Sequence, residues 1–177
     1  MKTRPAAAGP AILVAIGANL PGAEGQPPLA TCRQAAIALD AEPGLRLRGL
    51  SRWWRTAPLP PCGQPDYVNG IALLTGEADP ARLLRRLHEI EAGFGRRRSA
   101  PNAARTLDLD LIAIGDLVRD APDPVLPHPR AHLRAFVLRP LADVLPEWTH
   151  PRLGKALKVL LAACADQSAD PIAPSTQ

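Results

Sequence analysis

Residues 107–114 read Leu-Asp-Leu-Asp-Leu-Ile-Ala-Ile. Leucine and aspartate alternate over the first five positions, the period-two pattern of a strand with one buried face. The leucines point into a core and both aspartates point away from it, their Cα atoms roughly 6.6 Å apart by strand rise alone. Such a strand needs partners to cover it, and most of them precede it. Asp79-Pro80 opens a helix, with aspartate as the cap and proline at the first helical position. Leu83, Leu84, Leu87 and Ile90 line one face of that helix, which stops near Gly93 or Gly95. Residues 66–75 read as a strand, and residues 57–65, with four prolines and a glycine, as a loop. Leu45, Leu47 and then Ser51 to Thr56 read as one further strand. Residues 29–41 read as a helix that offers Leu29, Ala36, Ile37 and Leu39 for burial, and residues 11–17 as a buried first strand. Downstream, Gly115-Asp116 turns the chain toward a short partner near Val118, and residues 130–144 and 153–164 read as helices. The order is β-α-β-β-α-β followed by helices, a split βαβ arrangement. It predicts the α+β class: a ferredoxin-like α/β sandwich whose mostly antiparallel sheet has helices packed on it.

The chain has 177 residues, the length of one domain, which we place at 11–165 with loose tails at 1–10 and 168–177. The net charge is +4, and the basic residues are 18 Arg against 3 Lys. Host codon bias accounts for such a surplus, and so does anion recognition, because the planar guanidinium fork fits phosphate. A surplus of four is small for a long nucleic acid, and no basic run alternates with aromatics, so no nucleic-acid partner is expected. Three widely spaced cysteines form no metal or disulfide pattern and point to free thiols in the cytoplasm. The apolar stretch Ile12 to Ile16 is too short for a signal or a membrane span and fits a buried strand. No membrane partner is expected, and a monomer is.

The chemistry concentrates in four places. Asp108 and Asp110 share a strand face at a spacing that lets two carboxylates bridge a pair of hard cations, as in two-metal phosphoryl chemistry. An exposed strand face is the competing explanation. Arg96, Arg97, Arg98 and Arg105 lie just upstream, which makes the neighbourhood suitable for a magnesium-bound polyphosphate. Tyr67 and Asn69 sit i, i+2 on one strand, a stacking surface beside an amide, suited to a planar heterocycle with an amide-like edge. The loop from Thr56 to Gln64, stiffened by Pro58, Pro60 and Pro61, can present backbone groups at little ordering cost. His128 is flanked by prolines in a fixed turn from which it can donate to a phosphate, with Arg134 and Phe136 close behind. His132 and His150 have no evident partner and read as structural.

Taken together, four blocks carry a resemblance: AIGANL at 15–20, RTAPLPPCGQPDYVNG at 55–70, IEAGFGRRRSAPNAARTLDLDLI at 90–112, and LPHPRAHLRAFVLRPL at 126–141. In this order they resemble the 6-hydroxymethyl-7,8-dihydropterin pyrophosphokinases of folate biosynthesis. The resemblance implies transfer of diphosphate from ATP to the pterin hydroxymethyl group, with release of AMP. It implies that Asp108 and Asp110 bind two Mg²⁺ ions and that Arg96 and Arg105 close over the phosphates as catalytic residues. By the same resemblance, His88, Glu91, Arg98, Leu111, His128 and Arg134 match ATP-binding positions. Tyr67 and Phe136 would sandwich the pterin, with Asn69 at its edge, helped by Thr56, Pro58, Leu59 and Gly17. The sequence departs from the family's pattern at Ala18, at Asn102-Ala103-Ala104 and at His88, where serine, Trp-Gly-Pro and glutamine are common. A palm-type nucleotidyltransferase, which also sets acidic pairs on ferredoxin-like strands, is the alternative enzyme. A non-enzymatic RNA-binding module would need more exposed aromatics than this chain has.

Overall fold

The first strand, β1 (Ala11–Ala18), is apolar on both sides and sends its side chains into two separate cores. In the computed structural model, which describes residues 9–96 and 103–173, Ile12, Val14 and Ile16 enter one core and Leu13 enters the other. A strand buried on both faces belongs in the middle of a sheet. β1 accordingly lies between β4 (Tyr67–Gly76) and β5 (Asp108–Ile114), antiparallel to both. The sheet continues past β4 to β2 (Leu45–Leu50) and β3 (Trp54–Thr56), and β6 (Asp170–Pro171) pairs with β3. All described pairs are antiparallel, and the order is the ferredoxin-like one.

Helices α1 (Pro28–Asp40) and α2 (Pro80–Gly93) cover the face reached by Ile12 and Val14, burying Cys32, Ala36, Leu39, Leu83 and Leu87. Asp79 caps α2 as its sequence requires, accepting from the Arg82 N–H at 2.8 Å, with Pro80 at the start. Helices α3 (Ala135–Val144) and α4 (Leu157–Ala162) cover the opposite face around Leu13, Ile71 and Ile112. Between Leu13 and Val14 the partner on β5 jumps from Ala113 to Leu111, so Ile112 is an extra, bulged residue. The bulge ends the simple alternation: Leu109 and Leu111 join the first core, Ile112 and Ala113 the second.

Several elements differ from the sequence reading. The strand expected over 45–56 is two strands. Between them Ser51 pairs with β4 through its backbone and its hydroxyl, which accepts from the Ile71 N–H at 2.9 Å, and Trp53 turns into the first core. A Cβ on Gly70 would lie 2.6 Å from the Trp53 ring, so glycine there admits the indole. Ile37 is 70% exposed, because α1 buries its Cys32–Ala36–Leu39 side instead. The chain after Gly115 makes one bridge, Arg119 to Leu126, rather than a strand near Val118. The helix expected over 130–144 is a 3₁₀ turn (Ala131–Leu133) followed by α3, and the one expected over 153–164 is only α4. Residues 168–173 are not loose: Asp170 and Pro171 pair with β3, and the Ile172 N–H donates to the Trp53 carbonyl at 2.7 Å. Among the described residues no helix is long and apolar enough to cross a membrane.

Candidate active site

One row of the sheet organises the site. Gly17 is paired with Asn69 on one side and with Asp108 on the other, so three strands set these residues side by side on one face. Ala15 opposite Asp110 continues the row. A Cβ on Gly17 would stand 3.1 Å from Asn69 Oδ1 and 3.9 Å from Asp108 Cβ, so the glycine makes a low floor between an amide and a carboxylate. Above this floor opens a cavity of about 620 Å³. Its walls come from the proline loop after β3, from the segment before β5, and from the turn that leads into α3.

On the amide side, Asn69 donates through Nδ2 to Thr56 Oγ1 at 2.8 Å, a bond between neighbouring strands that fixes the orientation of the amide. Its Oδ1 is left over Gly17 as an acceptor. Tyr67, two residues earlier on β4, donates to Gln64 Oε1 at 3.2 Å, and burial raises its pKa despite the opposing charge of Arg105. Pro58 and Leu59 line the same end, and Phe136, in the first turn of α3, lines the cavity with the Arg134 guanidinium 5.3 Å from its ring centre.

On the carboxylate side, each oxygen of Asp108 meets a guanidinium. Arg105 Nη1 lies 2.8 Å from Oδ2, and Arg96 Nη1 bonds Oδ1. Arg96 also bonds Glu91, which is 2% exposed and accepts from the Leu109 N–H at 2.8 Å. Asp110 is half-buried beside Asp108. Burial and that neighbouring charge raise its pKa, against the pull of His128, Arg134 and Arg105. The Arg130 N–H donates to His128 Nδ1 at 3.2 Å, which leaves Nε2 as the protonated nitrogen of a neutral ring. Burial, with Arg134 and Arg130, lowers the His128 pKa and favours that neutral form, while Asp110 works against it. Burial also lowers the pKa of Arg134.

A family model described as 7,8-dihydro-6-hydroxymethylpterin-pyrophosphokinase matches residues 13–146. The chain belongs to this pyrophosphokinase family. Among curated relatives, the 2-amino-4-hydroxy-6-hydroxymethyldihydropteridine pyrophosphokinase of Pseudomonas aeruginosa is 40% identical over 153 residues, covering 86% of this chain and 91% of the relative. The enzyme of the same name from Synechocystis is 39% identical over 145 residues, covering 81% of this chain and 74% of the relative. A crystal structure of Plasmodium falciparum HPPK-DHPS superposes with a TM-score of 0.64 over 86% of this chain and 40% of that one, at 12% identity, a likeness of fold.

The cavity gathers most of the residues singled out in the sequence: Gly17, Thr56, Pro58, Leu59, Tyr67, Asn69 and Phe136 at one end, Arg96, Arg105, Asp108, Asp110, His128 and Arg134 at the other. Three do not line it. Glu91 reaches it through Arg96, His88 lies on α2, and the Leu111 side chain is packed in the core against α1 and α2. Arg98 lies outside the described residues. The sequence reading missed Asn19, which is buried and joins the two ends of the site. Its Oδ1 accepts from the Arg105 N–H at 2.8 Å, and its Nδ2 donates to Gln64 Oε1 and to the Pro65 carbonyl, each at 3.2 Å. A buried-type position filled by a side chain with both donor and acceptor, just past a strand end, was its only signal. Arg130, Gln64 and Cys62 also line the cavity. Cys62 is exposed, whereas burial pushes the Cys32 thiol up to about 12.

Proposed function

We propose that this cavity carries out the reaction of its family: the diphosphate of ATP is transferred to the hydroxymethyl group of 6-hydroxymethyl-7,8-dihydropterin, and AMP leaves. The row Asn69–Gly17–Asp108 carries the reading. Across one glycine it sets an amide and aromatic rings against carboxylates and guanidiniums, a recognition surface for a heterocycle beside one for a polyphosphate. The pterin lies between Tyr67 and Phe136, and Asn69 Oδ1, oriented by Thr56, accepts from its amino and ring N–H groups. With its edge over the Gly17 floor, the ring directs its hydroxymethyl arm toward Asp108.

The triphosphate occupies the other end. Arg96, Arg105, Arg134 and the Nε2–H of His128 converge there, and phosphate oxygens compete for the guanidiniums that Asp108 holds. Arg98 belongs to the same set by its place in the sequence. Glu91 positions Arg96 and the start of β5. β5 is an edge strand; along its outer edge Leu111 contributes backbone groups to the nucleoside, and His88 of α2 is assigned to the same nucleoside by the family resemblance. The attacking alcohol is weak and the β-phosphorus is shielded by charge, so catalysis rests on positioning and charge neutralisation. Asp108 accepts a hydrogen bond from the alcohol and orients it in line.

Asp108 and Asp110 fit Mg²⁺. Mg²⁺ takes one or two carboxylates and completes its shell with phosphate oxygens and water, and the described residues offer such a pair rather than a group of three or more ligands. Two ions are expected to arrive with the nucleotide, and when bound they neutralise charge on the transferred group. A monomer is expected, and three unpaired cysteines suit the cytoplasm.

The deciding experiment incubates the protein with ATP and Mg²⁺, with and without the hydroxymethyl-dihydropterin, and separates the nucleotide products. Pterin-dependent AMP is the expected product. Diphosphate released in the presence of a primer or RNA would overturn the reading.

A further inference from the structure

The two side chains that face both substrates, Arg134 and Phe136, hang on a single turn, and what holds that turn comes from the far end of the chain. Gln167 Nε2 donates to the Leu133 carbonyl at 2.9 Å, and its Oε1 accepts from the Ala135 N–H at 2.9 Å. A carbonyl before a residue and an N–H after it are the groups that a neighbouring strand would pair with. The Gln167 amide therefore takes the place of a strand partner for Arg134, whose backbone is extended (φ −127°, ψ 107°). It also supplies a cap that α3 lacks locally, since Arg134 makes no side-chain cap bond at that helix's first turn.

The clamp is itself anchored. The Gln167 N–H donates to the Cys164 carbonyl at 3.1 Å, and the buried Cys164 thiol lies 3.9 Å from the His132 carbonyl. Beyond it Ala169 is buried, and Asp170–Pro171 and Ile172 bond to the backbone of Trp53 to Arg55. Residues 164–172 thus run as a strap from α4 to the strand that ends at Thr56, gripping the Arg134 turn on the way. The Arg134 guanidinium stacks on Phe136 of the same turn, so the direction of both side chains follows that backbone. The strap lies beyond residues 13–146, the stretch that the family model matches.

We propose that Gln167 is a positioning residue for the reaction, aiming Arg134 at the phosphates and Phe136 at the pterin. This rests on the roles assigned to those two residues above. The test compares wild type with Gln167→Ala and Gln167→Glu by AMP-release kinetics, thermal unfolding and hydrogen exchange at the Ala135 amide. Gln167→Ala is expected to lower kcat/KM on the order of tenfold, the scale of a small misplacement of site groups. The loss falls on the KM values of both substrates, Tm stays within a few degrees, and the Ala135 amide exchanges faster. Gln167→Glu keeps the acceptor but turns a carboxylate oxygen toward the Leu133 carbonyl. It is expected to be as impaired at pH 8 and to recover toward wild type as the pH falls to 5 and the carboxyl gains a proton to donate. Wild-type KM values in Gln167→Ala, or a Gln167→Glu defect that does not respond to pH, would overturn the proposal. A wild-type protein that forms no AMP would instead overturn the assigned function, and the positioning role with it.

Discussion

Gly17→Ala isolates the floor of the site. Gly17 has no left-handed backbone to protect, so the substitution adds a methyl group and nothing else. The new Cβ would stand 3.1 Å from Asn69 Oδ1, a contact that forces the neighbour to give by a few tenths of an ångström, and 3.9 Å from Asp108 Cβ, an ordinary contact. The strain therefore falls on the amide. Asn69 cannot yield freely, because its Nδ2 is bonded to Thr56 at 2.8 Å. Either that bond or the one to the pterin is lost. A neutral hydrogen bond contributes about 0.5–1.5 kcal/mol net, so the pterin KM should rise roughly two- to tenfold. The KM for ATP should hold, since the carboxylate side is untouched. Replacing glycine in a strand relieves about 0.5–1 kcal/mol of backbone entropy cost, so Tm should be unchanged or slightly higher. AMP release with each substrate varied in turn, alongside a melting curve, measures all three. Equal rises in both KM values, or an unchanged pterin KM, would refute the geometry of the row.

Three further outcomes are expected. Asp110→Ala should lose most turnover at every Mg²⁺ concentration while its melting curve stays cooperative; retained turnover would remove Asp110 from the metal site. Asp143→Ala should lower stability by about 1–3 kcal/mol, because it strands the buried Trp54 indole N–H that donates to Oδ2 at 2.9 Å. Arg52→Ala, which breaks the exposed ion pair with Asp143 and the guanidinium's contact over the Trp54 ring, 5.1 Å from its centre, but leaves the indole N–H bonded, should lower Tm clearly less, and an equal effect would refute the assignment. The third concerns acid. His150 is buried and faces His132, Trp148 and Arg152; among the described residues its Nε2 has no partner and no carboxylate is among the groups that set its charge. Burial, His132 and Arg152 lower its pKa, so the neutral ring belongs to the folded state. The stability it contributes is complete above its ordinary value of about 6.5 and is lost as pH falls below that. Tm should drop between pH 7 and 5, and less so in His150→Phe; parallel pH profiles would exclude His150 as the cause.

Much of this protein was legible in the sequence because the patterns that matter are short-range. The alternation in Leu107 to Leu111 fixes which way Asp108 and Asp110 face, and Asp79-Pro80 marks where α2 begins. The proline loop and the i, i+2 pair Tyr67 and Asn69 announce a binding surface without any fold. What the sequence could not supply is register. That Gly17 separates Asn69 from Asp108 follows from pairing among three strands far apart in the chain, and pairing is settled by which side chains fill both cores. The bulge at Ile112, the break at Ser51 and the burial of Trp53 against Gly70 have the same origin. Asn19 and Gln167 show the limit most clearly. Each is a polar side chain whose partners lie tens of residues away, at Gln64 and Arg105 for one and at Leu133 and Ala135 for the other. Local chemistry named the groups proposed to meet the substrates, and only the packed chain decided which groups hold them in place.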